Sequence, residues 1–542
     1  MKISSDVIRL YKSLHTWVGI TSGLLLFIGF FAGALTMFKQ PLEGWALPPQ
    51  QRLPLVAEAR RDQLIQAVLQ QYPQAQSEFT LYLQDADHVP ASLVWYQQPL
   101  DGHDLALDEP LSRATLDDQG RLHVSHEPAS KLAELIDMLH RTGGVPGELG
   151  HEHVGIYLMG VAGLLYGLAL ISGVIILLPV LVKDFLALRQ GPNRKRFWLD
   201  IHNLVGITSL PFHLVIALTV VVFAFHDQFY GSLRELVYGP QPMFERPVGA
   251  ESQPRNIAGL QPVAALLASI EQQAPEFTVT KLEFWNLDTP RAAVRAALVS
   301  DVHLSRGAQS GFVLLDPFTA EVTNTSALPG QEDFWSAVVA TFFALHFGSF
   351  GGDSVRWIYF LMGAGGAFLF YTGNLLWVQS RRRKQSRPHP GKSTSPEQDS
   401  RSVRVMENLT HGVCLGSMTG VAVAMIGARW LPLWSSDVNG GLVWLYYLGF
   451  LSCLGWACWR GGVRAGIELV MVTALAILAI PMTSVLALLI PDAGLWLNLS
   501  WASLMVDLTA MVLGVLLLLV GGRLRIRHQP RAMSAIGEPE IA

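Results

Sequence analysis

The feature that most constrains this chain is a pair of short motifs, each standing at the head of a long apolar run. Leu14-His15-Thr16-Trp17-Val18-Gly19-Ile20 and Ile201-His202-Asn203-Leu204-Val205-Gly206-Ile207 form the first pair. A second pair precedes the next apolar run in each half: Met138-Leu139-His140-Arg141-Thr142-Gly143-Gly144, and Ala344-Leu345-His346-Phe347 followed by Gly348-Ser349-Phe350-Gly351-Gly352. A histidine at the end of a membrane helix is costly without a partner. Four in two matched sets point to one shared partner.

The apolar runs place the chain in a bilayer. Of its 542 residues 50% are hydrophobic and 15% charged, with a mean hydropathy of +0.33. A soluble protein carries about 25% charged residues, so this is an integral membrane protein, mainly α, with no nucleic-acid partner expected. The net charge of −4 says little, because its distribution matters more than its sum. The run from Trp17 to Phe38 matches the roughly 20 residues that span a bilayer and exceeds a signal-peptide core, so it is taken as a retained anchor.

Eight spans are expected, over 16–38, 155–181, 203–225, 356–378, 409–430, 441–459, 466–490 and 498–521. Basic residues set their direction. Lys183, Arg189, Arg194, Lys195 and Arg196 fall between spans two and three, and Arg381 to Lys384 with Arg387 follow span four. Arg460 and Arg464 follow span six, and Arg523, Arg525 and Arg527 follow span eight. All lie on one side, which is expected to be cytoplasmic, so both termini are expected inside and the long segments 40–150 and 227–345 outside, in the periplasm if the host is Gram-negative.

Those two segments carry similar patterns. A helix from Asp62 to Tyr72 stops at Pro73, followed by strands Phe79–Leu83 and Ser92–Tyr96 and then Leu116-Asp117-Asp118-Gln119-Gly120. A helix from Pro262 to Gln273 precedes Pro275, followed by strands Phe277–Phe284, Ala292–Ser300 and Gly311–Asp316. Helical periodicity, a proline stop and alternating strands indicate one small α+β domain used twice. The spans repeat too, since Ser172-Gly173 answers Thr372-Gly373. Residues 1–180 and 200–380 therefore read as a duplicated unit of span, outer domain and span, related by an axis along the membrane normal.

The expected order is span one in 1–39, an outer domain in 40–150, spans two and three with a basic loop in 151–226, and a second outer domain in 227–345. Span four follows in 346–384, a cytoplasmic linker rich in Pro and Ser in 385–404, four further spans in 405–522 and a cytoplasmic tail in 523–542.

Topology puts His15 and His202 at the inner ends of spans one and three, and His140 and His346 just outside the membrane. Haem iron takes two axial imidazoles from facing helices, so the four offer two bis-histidine sites at different depths. Cys414, Cys453 and Cys458 form no Cys-x-x-Cys-His attachment, so such haem is the non-covalent b type, two in number. His213 lies eleven residues after His202, nearly three helical turns, which puts both on one face about 16 Å apart. It is a fifth candidate ligand, able to replace His15 or His140 in one pair. His151, His153 and His226 flank the outer ends of spans, where they line a substrate entry, accept a proton or, the favoured reading, sit at the interface, and His411 opens span five as an interfacial residue. His88, His103, His123, His126 and His303 belong to the outer segments as solvated residues, and Asp507 and Glu468 are intramembrane carboxylates.

These motifs, with Leu210-Pro211-Phe212-His213, resemble the PepSY-associated transmembrane family of bacterial iron-regulated membrane proteins, which includes ferric-siderophore reductases. The resemblance covers about residues 1–380. It implies PepSY modules outside and a dihaem oxidoreductase that passes electrons to a ferric siderophore, with His15, His140, His202 and His346, and less directly His213, around the iron. No Gly-x-Gly-x-x-Gly follows a strand, so the electron donor is expected to be separate, a quinol or a cytosolic reductant. Two other readings stay open on the residues: a haem-free binding or regulatory protein whose outer domains hold a protease or peptidoglycan enzyme, and a transporter.

Overall fold

The computed structural model describes residues 4–98, 107, 109–150, 152–181, 187–189, 193–239, 255–300, 302–332, 334–385 and 396–528. Lys183, Arg387, most of the Pro/Ser-rich linker, His103, His151, His389 and the tail from 529 lie outside the described residues. Two compact units are present, one of residues 1–377 with 434–441 and one of 378–433 with 442–542.

In the first unit α1 (Ser5–Thr36) leads to the short α2 (Lys39–Ala46), then α3 (Arg61–Gln71) and strands β1 (Glu78–Tyr82), β2 (Leu93–Tyr96), β3 (Leu111–Leu116) and β4 (Leu122–Ser125). Next come α4 (Leu132–Thr142), a two-strand ladder of β5 (Glu148–Leu149) and β6 (Glu152–His153), and α5 (Val154–Leu177). The second half begins with α6 (Arg194–Thr208), α7 (Leu210–Ala224), α8 (His226–Leu233) and α9 (Val263–Gln273). It continues through β7 (Thr278–Trp285), β8 (Ala293–Val299), β9 (Gly311–Leu315), β10 (Val322–Asn324), α10 (Phe334–Phe347) and α11 (Gly352–Gln385).

Among the described residues seven helices are long and apolar enough to cross a membrane, and α6 with α7 forms an eighth crossing if that bent pair is one span. The bend is 69°. Ser209 Oγ bonds back to Val205 O at 2.6 Å, and Pro211 sits in the first turn of α7, where a missing N–H is tolerated. The break corrects one expectation: His202 and His213 do not share the face of a continuous helix.

Glycines let the two halves interlock. A Cβ on Gly163 of α5 would come 2.4 Å from Val220 of α7, and one on Gly366 of α11 would come 2.3 Å from Phe30 of α1. Thus the second helix of each half packs against the first helix of the other, through the close approach that small residues allow in a bilayer.

The two α+β patterns recur with a near-constant offset, their strands starting at 78, 93, 111 and 122 and again at 278, 293, 311 and 322. They do not stand apart. All eight strands form one sheet in the order β10-β9-β8-β7-β1-β2-β3-β4. At the antiparallel junction Leu81 faces Leu282 and Phe79 faces Phe284, the two phenyl rings stacked at 4.5 Å. α3 and α9 cover one face, where Leu64, Val68, Leu266 and Ile270 are buried in a shared core. β3 escapes an alternation test because Ser112 and Arg113 are both buried within it. The two terminal nitrogens of Arg113 donate there to the carbonyls of Gln51 and Glu127.

The second unit contains α12 (Pro396–Trp430), α13 (Val438–Arg460), α14 (Gly462–Leu489) and α15 (Trp501–His528). Gly412, Gly416 and Gly420 recur every fourth residue along α12. A Cβ on Gly416 would lie 2.9 Å from the Phe450 carbonyl and one on Gly420 2.7 Å from that of Tyr446, so α12 and α13 touch backbone to backbone.

Candidate functional site

Each half of the first unit builds the same inner histidine seat. His15 on α1 has Nδ1 2.8 Å from the Ala169 carbonyl of α5, with Ser172 Oγ at 3.4 Å. His202 on α6 has Nδ1 3.3 Å from Thr372 Oγ1 of α11. Under each ring lies the glycine that follows the hydroxyl residue, Gly173 or Gly373, whose Cβ would stand 3.2 or 3.4 Å from the imidazole Cε1. The two histidines lie within electrostatic reach of one another. One turn further along, a Cβ on Gly19 would meet nothing within 4 Å, and one on Gly206 only Leu369 at 4.0 Å.

The second seat, the one expected outside, is built from the C-terminal turns of α4 and α10. His140 lies in the last turn of α4, which Gly143 terminates in the left-handed conformation (φ 62°). A Cβ there would come 2.3 Å from Leu25, so both backbone and space require glycine. His140 Nδ1 is 2.8 Å from the Gly29 carbonyl, and its ring rests on Gly33, whose Cβ would fall 2.6 Å from it. His346, at the end of α10, has Nδ1 2.6 Å from Thr219 Oγ1 of α7. The two rings face each other with centroids 6.3 Å apart and planes inclined by 40°.

Both outer histidines line a cavity of about 1290 Å³ that reaches from Phe30, Tyr166 and Phe212 among the helices to Tyr82 and Lys281 on the sheet. At all four histidines Nδ1 is engaged and Nε2 has no hydrogen-bond partner among the described residues. An imidazole whose Nδ1–H is fixed by a carbonyl or hydroxyl presents its Nε2 lone pair, the form that binds metal. Two imidazoles on opposite sides of one metal at about 2 Å each put their ring centroids roughly 6 Å apart, which the outer pair matches. Among the described residues no group of three or more His, Cys, Asp or Glu stands together as a metal site.

His213 is fully buried on α7, Nε2 2.8 Å from Ser209 Oγ and Nδ1 without a partner, with Phe212, Phe30 and Tyr166 around its ring. The ring facing His140 belongs to His346. His88 departs from the solvated role expected of it: it sits in the cavity wall, its pKa lowered by burial and by Lys281. His226 lines the same cavity, its Nδ1 2.8 Å from the Phe223 carbonyl. His411, expected at an interface, is buried with its ring against Gly466. Asp507 accepts from Ser484 at 2.6 Å, and Glu468 accepts from Trp456 Nε1 at 2.9 Å.

Glu43 on α2 also lines the cavity, beside Glu134, Lys39, Lys281 and Asp137. Burial, and then the Glu134 charge, push its carboxyl up to about 8. The partners of Nδ1 were not singled out from sequence. The repeated Ser172-Gly173 and Thr372-Gly373 carried a signal for the inner seats. Thr219 carried none, because a backbone carbonyl, that of Gly29, takes its place in the other half.

The profile of the family described as PepSY-associated TM region matches residues 12–380. Over 318 residues the chain is 25% identical to "Uncharacterized protein PA4219" of Pseudomonas aeruginosa, covering 52% of this chain and 75% of that protein.

Proposed function

The chain belongs to the PepSY-associated TM region family, and on that footing we propose that its first 380 residues hold two b-type haems and reduce a ferric siderophore outside a bacterial inner membrane. The observation that carries this is the outer pair: His140 and His346 at 6.3 Å, each Nδ1 anchored, on the wall of a cavity. His140 and His346 would ligate one iron and His15 and His202 the other, with His213 outside both pairs. A haem so bound takes up and gives up one electron at a time.

The remaining work falls to the chain. Ala169, Thr372, Gly29 and Thr219 fix the imidazoles in one tautomer and one orientation, which removes their freedom to turn away from the metal. Gly29 lies fourteen residues after His15 on α1, so the two seats are about 21 Å apart along that helix, within the ~30 Å apolar core. The helices exclude water between the seats, and the cavity above the outer one admits a chelate from outside. Reduction of Fe(III) to Fe(II) loosens it from hard oxygen ligands without side-chain acid–base chemistry. A membrane quinol or a cytosolic reductant would supply the electron at the inner seat.

Purified, haem-replete protein is expected to show a b-type α-band in a dithionite-reduced minus oxidised spectrum. Alanine at His15, His140, His202 or His346 should remove about half of the haem, whereas His213→Ala should retain both. A haem-free protein, or normal haem content in the four variants, would refute the proposal.

A further inference from the structure

The duplicated backbone is symmetric, but the charge it places on the cavity is not. The first half contributes four carboxylates (Asp85, Glu134, Asp137 and Glu152) and the Glu43 carboxyl, pushed up to about 8, against two cations. The second half contributes Lys281, Arg295, Arg306 and Arg356 against Glu283 alone. On that second wall Lys281 and Arg295 share one carboxylate, Glu283, at 2.7 and 3.5 Å. Arg306 lies over the Phe343 ring at 5.6 Å and has no carboxylate partner among the described residues. Among the described residues Arg356 pairs with the exposed Asp353 alone, at 3.4 Å. The cations are also stiffened, since Arg295 lies 4.2 Å above Phe312. Two rings connect this wall to the outer seat: Phe343 is 4.7 Å from Phe223, which is 4.8 Å from His346.

We propose that the second-half wall, centred on Arg306 and Lys281, binds an anionic chelate of trivalent iron through its carboxylate or phenolate oxygens. The identity of the metal rests on the reductase reading; the anion site does not. A guanidinium lying over an aromatic ring keeps its N–H donors available to an oxyanion, and a cavity of reduced dielectric strengthens the pairing. The acidic first-half wall repels the same ligand, so the anion is driven to the side from which Phe343 and Phe223 lead to His346. The same cations could instead meet the carboxylates of a bound porphyrin, and the test separates these sources.

The probe is Ga(III), which matches Fe(III) in charge and size but is not reduced under the conditions of the assay, so binding is read apart from electron transfer. Equilibrium dialysis of the full-length protein in detergent would compare the anionic Ga(III)–EDTA complex with a Ga(III) trihydroxamate made cationic by a pendant ammonium group. The anion is expected to bind more tightly, with an affinity that falls as salt rises. Arg306→Gln and Lys281→Gln should each weaken it about tenfold or more, and Arg306→Lys less. Equal binding of both complexes, or unchanged anion binding in both glutamine variants, would overturn the site. Loss of haem in Arg306→Gln with unchanged Ga(III) binding would assign the arginine to the porphyrin and overturn it equally. Wild-type charge and salt dependence decide the matter if a variant fails to fold. A protein without haem that still binds the anion would refute the reductase reading and leave the site standing.

Discussion

At the scale of single residues, the proposed outer iron site depends on what is missing from α1. Gly33 has no side chain because the His140 ring occupies that space, with Cε1 2.7 Å from where a Cβ would stand. Gly33→Val is therefore expected to swing the imidazole out of its seat and to remove about half of the haem, with the inner site intact. Since valine is no worse a helix former than glycine, unchanged helicity by circular dichroism with halved α-band absorbance would locate the effect at the ring. Glu43 gives a second test, outside the membrane helices. Its carboxyl titrates near 8 when folded against 4.5 when free, so between those values the folded state binds the extra proton and stability falls as pH rises. Glu43→Gln removes that dependence. It should raise the thermal midpoint at pH 8 and change little at pH 5, each pH unit in the window being worth up to about 1.4 kcal/mol. An equal shift at both pH values would place the effect elsewhere. The four histidines were legible because each recurs in a matched motif. Thr219 and Gly29 were not, since one uses a side chain and the other its backbone for the same bond.

Elements were legible where periodicity alone decided them and illegible where tertiary contacts did. The helix and strand patterns in both outer segments emerge from alternation and proline stops, yet nothing in them says that β1 and β7 join. That pairing is made by Leu81 against Leu282 and Phe79 against Phe284, residues that any buried strand carries. Phe284 is 2% exposed and stacks on its partner, so Phe284→Ala should cost about 3–5 kcal/mol and open the sheet at its centre. Limited proteolysis would report it as early cleavage between the two halves, and wild-type resistance would show that the junction is held by other contacts. The bend at Ser209 was hidden for a different reason. A proline in the first turn of a helix looks the same whether the helix before it continues in line or at 69°.

At the scale of the whole chain, direction is what duplication and charge together supply. Parallel repeats put like ends on like sides, so the His15–His202 level and the His140–His346 level must lie toward opposite faces of one bilayer. By the basic residues after the spans the His15–His202 level is expected inside, and the proposed electron flow toward an external chelate requires the cavity to open outward. The test needs one exposed position at each end of the first unit. Arg9, near the start of α1, and Arg121, in the turn between β3 and β4, have side chains about 80% and 73% exposed. With Cys458 replaced by serine, the remaining cysteines, Cys414 and Cys453, are buried and should stay silent. A membrane-impermeant maleimide should then label Arg121→Cys in right-side-out vesicles and Arg9→Cys only after the membrane is opened. The reverse pattern would put the cavity in the cytoplasm, where no external chelate could reach it. Reduction of an imported iron complex would then have to occur after transport, and His140 and His346 would stand at the entry of the electron path, not at its exit.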